Sequence, residues 1–557
     1  MSNERLIYLP LGGAGEIGMN AYVYGYGPAG KERLILVDLG IAFPDMDSTP
    51  GVDVILPDIA WLRDNIDRVE AVFVTHAHED HVGGVGHLYG QMGKPVHCRK
   101  FTANIARRKM QEQGHDPGAV VVAEPWPAQV EAGPFTVGFL PISHSIPESS
   151  ALVIDTPGGR IVHTGDFKID LVPVLGEPFD ADSFREVAKG GVKALVCDST
   201  NVFNTHEGRS ESLVGPNIRE LVSNAKGMVV ATTFASNVAR LKSLADAGAA
   251  AGRSICLMGR AMRRMTEAAR EEGILTEFPQ TVSPEDAADI PRESLMLIVT
   301  GSQGERRAAS AQLSQGKYFG MELKEGDTFL FSSKTIPGNE RDVARIMNNL
   351  SMLGVDVVTD ADGLYHVSGH ANRPDLETIH ALIDPQFVIP MHGEHRHLRE
   401  HAKVADGLGR TGVVAPNGTM IDLSGNAPKV VDHVEAGRTY LDGATLVGQF
   451  DGVVRDRIRM ALNGMVVVSV MVEDDGTVLD DAWVDLRGLP EKGRSGDALS
   501  DVMEKDLADR LERVDRKTAD DDDALEKLVK RGIQQTAQAE IGKRPEVTVL
   551  ITRLAAE

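Results

Sequence analysis

Cysteine is scarce in this chain, and long hydrophobic runs are missing. The three cysteines, Cys98, Cys197 and Cys256, are far apart in 557 residues and form no CxxC pair, which argues against a disulfide framework. The longest apolar runs, such as Met465–Val472, fall well short of the roughly 20 residues that cross a bilayer. The N-terminus has no basic segment followed by an apolar segment and a cleavage site, so no secretory signal is expected. We therefore expect a cytoplasmic protein without membrane association.

An excess of positive charge is also missing. The chain has 58 Lys and Arg against 81 Asp and Glu, a net charge of −23, which argues against nucleic-acid binding by bulk attraction. The charge is unevenly spread, because residues 206–365 have 18 basic and 21 acidic residues (net −3), whereas residues 465–557 have 14 and 22 (net −8). Local basic pairs such as Arg306 and Arg307 can still line a groove, so net charge does not decide the partner.

The composition is that of a globular protein with several domains. Forty-two per cent of the residues are hydrophobic and 25% are charged, and about 100–200 residues per domain predicts three or four units. Short β-branched runs alternate with Gly-rich turns and helical stretches, which is typical of layered α/β proteins. Strand-like runs often end in polar residues, as at Asp38, Asp166 and Asp198. Loops at strand ends are where α/β enzymes build their sites.

The pattern changes along the chain and predicts an inserted domain. In residues 206–365, three strand–loop units alternate with helices rich in Ala, Arg and Glu, which predicts a second α/β domain with its own parallel sheet. The first pattern resumes afterwards, so the first domain is expected to comprise residues 1–205 and 366–423. Residues 424–464 are rich in turn residues and are predicted to be a connector. Residues 465–557 predict a small α/β domain.

The strongest chemical signal is HAHEDH at residues 76–81, directly after a buried strand. It contains four side chains that can bind metal: His76, His78, Asp80 and His81. In a loop, His76 and His78 can converge on one ion while Asp80 and His81 turn toward a second. Imidazole suits zinc or manganese, and a bridging carboxylate suits a two-metal site. The alternative is a polar turn with incidental histidines, and the spacing argues against it.

Three further candidate ligands follow at strand ends: His144 in PISHS, Asp166 in HTGD and His392 in MHGE. Singly, each could be a structural histidine or a turn aspartate, but their order after the first cluster favours metal binding. Asp38, at the end of LILVD, fits a supporting role in which it holds a ligand histidine or the loop. Gly12, Gly13 and Gly15 lack the dinucleotide-binding spacing and predict a tight turn near the metal site.

These residues resemble the metallo-β-lactamase superfamily, whose motif is HxHxDH followed by a His, an Asp and a final His. The resemblance implies an αββα sandwich and two divalent ions, with zinc preferred and manganese as the alternative. It also implies a hydroxide between the ions as the nucleophile, its pKa lowered by the metals. Because the superfamily includes lactonases, thioesterases, lactamases and nucleases, the fold does not name a substrate. The implied ligands are His76, His78, His144 and Asp166 for one ion, and Asp80, His81, Asp166 and His392 for the other.

The insertion narrows the resemblance to the β-CASP nuclease group. The extra motifs of that group are an acid at a strand end and two histidines, and Asp198, His370 and His392 fit these places. By the resemblance, His370 would be the general acid on the leaving oxygen and Asp198 would orient it. The implied catalytic residues are therefore Asp80, Asp198 and His370. The histidine in the third place resembles the RNA-acting members, because DNA-repair members typically have an aliphatic residue there.

Within this group, the chain is similar to the bacterial ribonuclease J family from residue 8 to about residue 460, through LGGAGEIGMN, THAHEDH, TFASN, TGSQGE and HVSGHA. The family combines 5′-to-3′ exonuclease activity, with a preference for a 5′ monophosphate, and endonuclease activity in RNA processing and decay. Two loops suit phosphate capture, because small residues let backbone N–H groups approach an anion. Both loops could instead be ordinary turns. The expected substrate-binding residues are Phe234, Ala235, Ser236, His366, Val367, Ser368, Gly369 and His370.

The leading prediction is thus a two-metal ribonuclease that binds single-stranded RNA. The family also implies a homodimer or homotetramer and RNA-decay proteins as partners. A small-molecule hydrolase of lactonase or thioesterase type is an alternative, but it leaves the insertion and His370 unexplained. A DNA nuclease is a second alternative, which cleavage of matched RNA and DNA strands would separate. A scaffold with an inactive site is a third, but it predicts missing ligands, and every ligand position is filled.

Overall fold

The computed structural model describes residues 4–473, 475–479 and 482–554. The outermost residues of the first and last predicted domains, 1–3 and 555–557, lie outside the described residues. The chain divides into two compact units, one of Met1–Ala42 with Leu56–Arg438 and one of Phe43–Ile55 with Thr439–Glu557. Within the described residues, no helix combines the length and apolar composition that a membrane span requires.

Two large sheets form the centre of the first unit. Apolar side chains from the inner faces of both sheets form one buried core, in which Tyr8 and Phe73 of one sheet pack with Phe139 and Phe387 of the other. The first sheet has the strand order Lys429–His433, Thr419–Asp422, Glu4–Gly12, Ala21–Pro28, Arg33–Val37, Val69–Phe73, Val96–Cys98 and Val120–Val122. The second has the order Thr411–Gly412, Phe387–Met391, Ala194–Asp198, Gly159–His163, Ser150–Thr156, Phe135–Pro141 and Gln129–Ala132.

Helices cover the outer faces of this sandwich. Phe184 and Leu376, for example, come from two helices and pack in a core with Val153 and Leu195 on the outer face of the second sheet. The αββα arrangement predicted for the first domain is therefore confirmed. The helices of this part are Ala60–Asp64, Glu79–Val82, Val85–Met92, Lys100–Glu112, Ala181–Ala188, Arg373–Ile383 and His395–Gly407, with 3-10 turns at Ile66–Arg68 and Pro117–Ala119. Ala14–Gly15 pairs with Gly393–Glu394 in a two-stranded sheet.

The inserted region forms a separate six-stranded parallel sheet, as the sequence predicted. Its strands read as continuous apolar runs such as LMLIV at Leu295–Val299, which is buried throughout, because helices cover both faces of a parallel sheet. The strand order is Thr281–Val282, Ser254–Met258, Leu295–Val299, Val229–Thr232, Thr328–Phe331 and Asp356–Val358. The helices are Val214–Asn224, Val238–Ala250, Arg260–Glu271, Pro284–Ala287, Ala309–Gln315 and Glu340–Met352, with 3-10 turns at Glu211–Leu213 and Arg292–Ser294.

The second unit contains a three-stranded sheet of Trp483–Arg487, Met465–Val472 and Glu546–Arg553. Alternate residues of the central strand are buried, and they pack against Leu507 and Val529 of two helices. The acidic run at residues 520–523 begins a helix, because the Asp521 side chain caps its first turn. The helices are Val453–Asn463, Leu499–Leu511, Arg516–Ala519 and Asp522–Ile541. Val54–Pro57, Arg438–Asp442 and Thr445–Gly448 form another small sheet.

The segment predicted as a connector is more structured than its turn-rich composition suggested. Residues 424–464 contain three strands and the helix Val453–Asn463. Two of the strands pair with each other as an antiparallel hairpin, in which Thr439 lies opposite Gly448. The turn residues therefore separate short elements rather than forming one irregular linker.

Parallel pairing determines where the polar strand ends meet. Gly159–His163, Ala194–Asp198 and Phe387–Met391 are neighbouring parallel strands, so Asp166, Asp198 and His392 follow at one edge of the second sheet. In the first sheet, Arg33–Val37 and Val69–Phe73 are also parallel neighbours, so Asp38 and the loop starting at His76 share an edge. The two edges meet where the Ser150 backbone N–H donates to the Thr75 carbonyl oxygen over 3.1 Å.

Candidate active site

The HAHEDH loop is held tightly against the backbone of neighbouring loops. Its second half forms the short helix Glu79–Val82. The Asn20 backbone N–H donates to the Asp80 carbonyl oxygen over 2.9 Å. A Cβ on Gly40 would lie 1.6 Å from the same oxygen, so only glycine permits this approach. The glycine-rich N-terminal segment also approaches this loop, because a Cβ on Gly18 would lie 3.5 Å from Asp80 Cβ.

The first group of predicted ligands converges on one point. His76, His78, His144 and Asp166 each present one ligand atom, all within 4.8 Å of one another. The Nδ1 atom of His78 lies 3.1 Å from Nε2 of His76 and 3.1 Å from Nε2 of His144. Oδ2 of Asp166 lies 3.9 Å from each of those two Nε2 atoms.

Hydrogen bonding alone does not satisfy this arrangement, whereas a divalent cation does. The Nδ1 atom of His144 donates to the Gly369 carbonyl oxygen over 2.6 Å, and burial lowers the pKa of His144 well below its usual value. Its Nε2 atom therefore carries a lone pair. His78 Nδ1 can offer at most one proton to the two nitrogens that face it. Nitrogens about 3.3 Å apart are what tetrahedral zinc ligation at about 2.0–2.1 Å requires, so these residues fit a metal ion.

The second group shares Asp166 with the first. It consists of Asp80, His81, Asp166 and His392, again with ligand atoms within 4.8 Å of one another. His81 Nε2 lies 3.2 Å from Asp166 Oδ2, and His392 Nε2 lies 3.1 Å from Asp80 Oδ2. Oδ2 of Asp166 therefore faces both groups, which is the arrangement of a bridging carboxylate. His392 has φ +48°, a left-handed conformation that a non-glycine residue adopts only when its surroundings impose it.

Asp38 holds His81 in one orientation. Asp38 is fully buried, and its Oδ2 accepts a hydrogen bond from His81 Nδ1 over 2.7 Å. Its Oδ1 accepts from the Thr75 backbone N–H over 2.8 Å. Burial raises the pKa of Asp38, although His81 opposes that shift. Because Nδ1 of His81 is engaged, the lone pair on Nε2 is directed at the ligand group, which is the geometry expected when a carboxylate orients a ligand histidine.

Asp198 and His370 form a hydrogen-bonded pair beside the ligand groups. Asp198 Oδ2 lies 2.8 Å from His370 Nδ1, and Oδ1 of Asp198 accepts from the Thr200 hydroxyl over 2.7 Å. Burial disfavours the charged form of His370, but Asp198 and Asp166 outweigh burial and raise its pKa. His370 is 23% exposed while Asp198 is 1% exposed. A partly accessible histidine whose protonated form is favoured can transfer a proton to a reacting group.

The two predicted phosphate loops lie next to each other. Ala235 of the first and Val367 of the second belong to one hydrophobic cluster. Arg240, in the helix after the first loop, donates to the Tyr365 carbonyl oxygen over 3.0 Å. Of the predicted substrate-binding residues, Val367 is buried, whereas Phe234, Ala235, Ser236, His366, Ser368, Gly369 and His370 are partly exposed.

Glycine is required at position 369 by a close approach. A Cβ there would lie 2.6 Å from the Ser145 hydroxyl and 2.9 Å from the His144 ring. The loop from His366 to His370 therefore contacts the ligand histidine through its backbone. Ser368 accepts at Oγ from the His370 backbone N–H over 3.0 Å and from the Asn201 amide over 2.8 Å, which fixes the loop on the Asp198 side.

Family models match most of the chain. The Metallo-beta-lactamase superfamily model matches residues 15–189, and the model of the Ribonuclease J, beta-CASP domain matches residues 226–350. The Zn-dependent metallo-hydrolase RNA specificity domain matches residues 354–416. The Ribonuclease J C-terminal domain matches residues 452–554.

Curated relatives match over nearly the full length. Ribonuclease J of Sinorhizobium meliloti is 39% identical over 99% of this chain and 98% of its own. The chain belongs to the ribonuclease J family. Ribonuclease J of Thermus thermophilus is 33% identical over 85% of this chain and 84% of its own. A solved structure of a protein of unknown function from Enterococcus faecalis covers 75% of this chain and all of its own, with a TM-score of 0.52 and 18% identity, which is a likeness of fold alone.

Membership of the ribonuclease J family makes the chain a metal-dependent ribonuclease, with His and Asp groups suited to divalent metal. The sequence reasoning missed several residues that hold this site. Asn20 donates through Nδ2 to the Asp80 carbonyl oxygen and lies 3.0 Å from His81 Nε2. Thr200 bridges Asp198 and His392, with its hydroxyl 2.8 Å from His392 Nδ1. Thr200 could have been predicted from the sequence, because it lies two residues after Asp198.

Proposed function

We propose that this ribonuclease J family member hydrolyses single-stranded RNA with two metal ions, acting as a 5′-to-3′ exonuclease that prefers a 5′ monophosphate and as an endonuclease. The observation that carries the proposal is the Asp198–His370 pair, which lies beside two ligand groups that share Asp166. A proton donor next to such a centre suits phosphodiester hydrolysis, in which the leaving oxygen must be protonated. A lactone or thioester hydrolase would not need the inserted domain, which supplies the loop at residues 234–236.

When bound, divalent ions supply Lewis acidity and lower the pKa of water. The residues of the chain perform the remaining tasks. His76, His78 and His144 would hold one ion, Asp80, His81 and His392 would hold the other, and Asp166 would contribute to both. Zinc is the proposed metal, which the similarity to a Zn-dependent specificity domain supports.

His370 is the proposed general acid. The hydrogen bond from Nδ1 to Asp198 fixes the plane of its ring, and the carboxylates of Asp198 and Asp166 favour the protonated ring, because they raise its pKa against the effect of burial. The Nε2 proton is then available for the departing oxygen of the RNA. Asp198 is a positioning residue in this scheme, because its two oxygens are used by His370 and Thr200.

The 5′ monophosphate is proposed to bind between the loops at residues 234–236 and 366–370. His366 supports this assignment, because its Nδ1 atom is buried and has no hydrogen-bond partner among the described residues. Burial, together with the nearby cations of Arg240, Lys334 and Lys168, lowers the pKa of His366 to about 3. A neutral histidine in a positive environment can donate a hydrogen bond to a phosphate oxygen while the cations balance its charge.

Assembly and organisation are further parts of the proposal. We propose domain limits at residues 206–365 for the inserted domain, within which the matched residues 226–350 fall, and at residues 465–557 for the C-terminal domain. A homodimer or homotetramer, RNA-decay proteins as partners and a cytoplasmic location follow from the family resemblance.

The test is a time course on one RNA that carries either a 5′ monophosphate or a 5′ triphosphate, with a DNA strand of the same sequence beside it. We expect mononucleotides to appear rapidly from the monophosphate form alone, and His370→Ala to slow their release about 10²–10⁴-fold. The exposed His395 provides a matched control, since His395→Ala should leave the rate unchanged. Equal rates on both 5′ ends would refute 5′ sensing. Hydrolysis of a lactone with no cleavage of RNA would refute the nuclease itself.

A further inference from the structure

A basic cleft lies on the second unit, which is otherwise acidic. Arg510, Lys527, Leu528, Arg531 and Gln535 line a cavity of about 430 Å³. An adjoining cavity of about 250 Å³ extends it past Arg531, Gln534 and Gln535 to Arg544. Among the described residues, no carboxylate lines either cavity. This contrasts with the surplus of acidic residues over residues 465–557, which have 22 Asp and Glu against 14 Lys and Arg.

The cleft is constructed by the packing of two helices. Gly532 lies where the helix Asp522–Ile541 passes under Arg510, and a Cβ at that position would lie 3.0 Å from Arg510 Cδ. The missing side chain lets Arg510 lie across the helix, where its Nη1 donates to the Gln535 amide oxygen over 3.0 Å. Its Nε donates to Asp506 over 2.8 Å. Arg510 is therefore held in place, with its charge partly balanced.

The other three cations of the cleft are free to bind a ligand. Lys527, Arg531 and Arg544 are exposed, and within residues 482–554 their side chains form no hydrogen bond or ion pair. Lys527, Arg531 and Gln535 are four residues apart on one helix face, which gives a repeat of about 6 Å along the axis. The result is a row of side-chain donors along one helix face, in which Lys527 and Arg531 have no side-chain partner within residues 482–554.

We propose that this cleft binds the sugar–phosphate backbone of single-stranded RNA, as a second contact made by residues of the second unit alone. The inference rests on the proposed function and adds a binding site for the same substrate. Guanidinium groups bind phosphate oxygens through two hydrogen bonds, and a flexible ammonium group adds point charge. None of the described lining residues is aromatic, so a base has no ring to stack on, and we expect the cleft to bind the backbone without sequence preference.

Phosphate backbone fits the cleft better than an acidic peptide does. Leu528 is the single apolar side chain among the lining residues, and protein interfaces bury an apolar centre. A polyanion needs no such centre, because its affinity comes from the release of counterions. The net charge of −23 repels RNA on average. The local positive charge of the cleft would offset that repulsion.

The test compares the full-length protein with the triple variant Lys527→Ala, Arg531→Ala, Arg544→Ala, both with His370→Ala to prevent cleavage. Binding of 5′-phosphorylated RNA strands of about 4 and about 40 nucleotides is followed by fluorescence anisotropy between about 0.1 M and about 1 M salt. The matched control is Arg487→Ala, Lys505→Ala, Lys517→Ala, which removes the same charge from the same unit away from the cleft.

Each lost phosphate contact lowers the slope of log affinity against log salt by about 0.7, so three contacts lower it by about 2. The long strand should therefore bind the variant up to about 100-fold more weakly at the lowest salt and about equally at the highest. The control variant should keep the salt slope of the parent. A urea-unfolding midpoint equal to that of the parent shows that the triple variant is folded.

Parallel salt slopes for the parent and the triple variant would overturn the inference. A polyglutamate peptide that binds the parent but not the triple variant, with RNA affinity unchanged, would assign the cleft to a protein and overturn it as well. Failure of the proposed function is a separate result. In that case the unmodified protein cleaves neither strand, whatever the cleft binds.

Discussion

Replacing Asp38 with asparagine tests how His81 is prepared to bind metal. In the native chain, Oδ1 of Asp38 accepts from the Thr75 backbone N–H, and Oδ2 accepts from His81 Nδ1 over 2.7 Å. An asparagine must keep its oxygen toward the Thr75 N–H, because that group can only donate. Its NH₂ group then faces His81 Nδ1, so the ring must place its proton on Nε2. A protonated Nε2 cannot bind a metal ion.

The expected loss follows from this change of tautomer. Removing an outer partner of a ligand histidine typically lowers metal affinity about 10–100-fold, which corresponds to about 1.4–2.7 kcal/mol. The loss should be confined to the group that contains His81. The other group, with His76, His78 and His144, has its own supports at Thr75 and Gly369, so its affinity should change little.

The assay is a competition titration of metal-free protein with zinc and a chromophoric chelator, which resolves two affinities. Asp64→Asn is the matched control, because the Asp64 side chain is 72% exposed and its replacement should leave both affinities unchanged. Urea unfolding of the metal-free proteins checks that Asp38→Asn is folded. If both zinc affinities of Asp38→Asn equalled those of the parent, the tautomer argument would be wrong.

Two other predictions concern stability. Arg240 is fully buried and donates two hydrogen bonds to Glu211, at 2.6 and 2.9 Å. Arg240→Ala should therefore lower the free energy of urea unfolding by about 3–5 kcal/mol, because it leaves a buried carboxylate unpaired. Replacing the exposed Arg219 with alanine should lower it by less than about 0.5 kcal/mol, and an equal loss in the two variants would contradict the argument. Burial, together with His401 and Arg410, lowers the pKa of His380 to about 2, and burial lowers that of His401 to about 4. Both histidines therefore contribute stability above pH of about 6.5 that is lost as the pH falls, because below that value the unfolded chain binds protons that the folded chain does not. His401→Gln should reduce the acid slope of the unfolding free energy between about pH 6 and pH 4.5 by about 1.4 kcal/mol per pH unit, and a slope equal to that of the parent would refute the assignment.

The sequence predicted much of the fold because strand signals are local. The run LILVD, for example, became the strand Arg33–Val37, since a β-branched run that ends at a polar residue needs no tertiary information. The segment 424–464 was predicted less well. Its strands are short and partly exposed, as at Lys429–His433, so apolar patterning is weak there and pairing partners stabilise them instead.

By itself, the sequence determined the family and the candidate ligands. The spacing of HAHEDH is a local property, and the order of the later His and Asp residues identified a shared motif. Tertiary structure decided which atoms meet. Asp80 and His392 are 312 residues apart, yet their side chains lie 3.1 Å from each other, because parallel strands end at one edge of each sheet. Tertiary structure also decided the tautomers, the supporting roles of Asn20 and Thr200, and the cleft at Arg510. Each depends on distances between segments that are far apart in the chain, and no local sequence pattern specifies such distances.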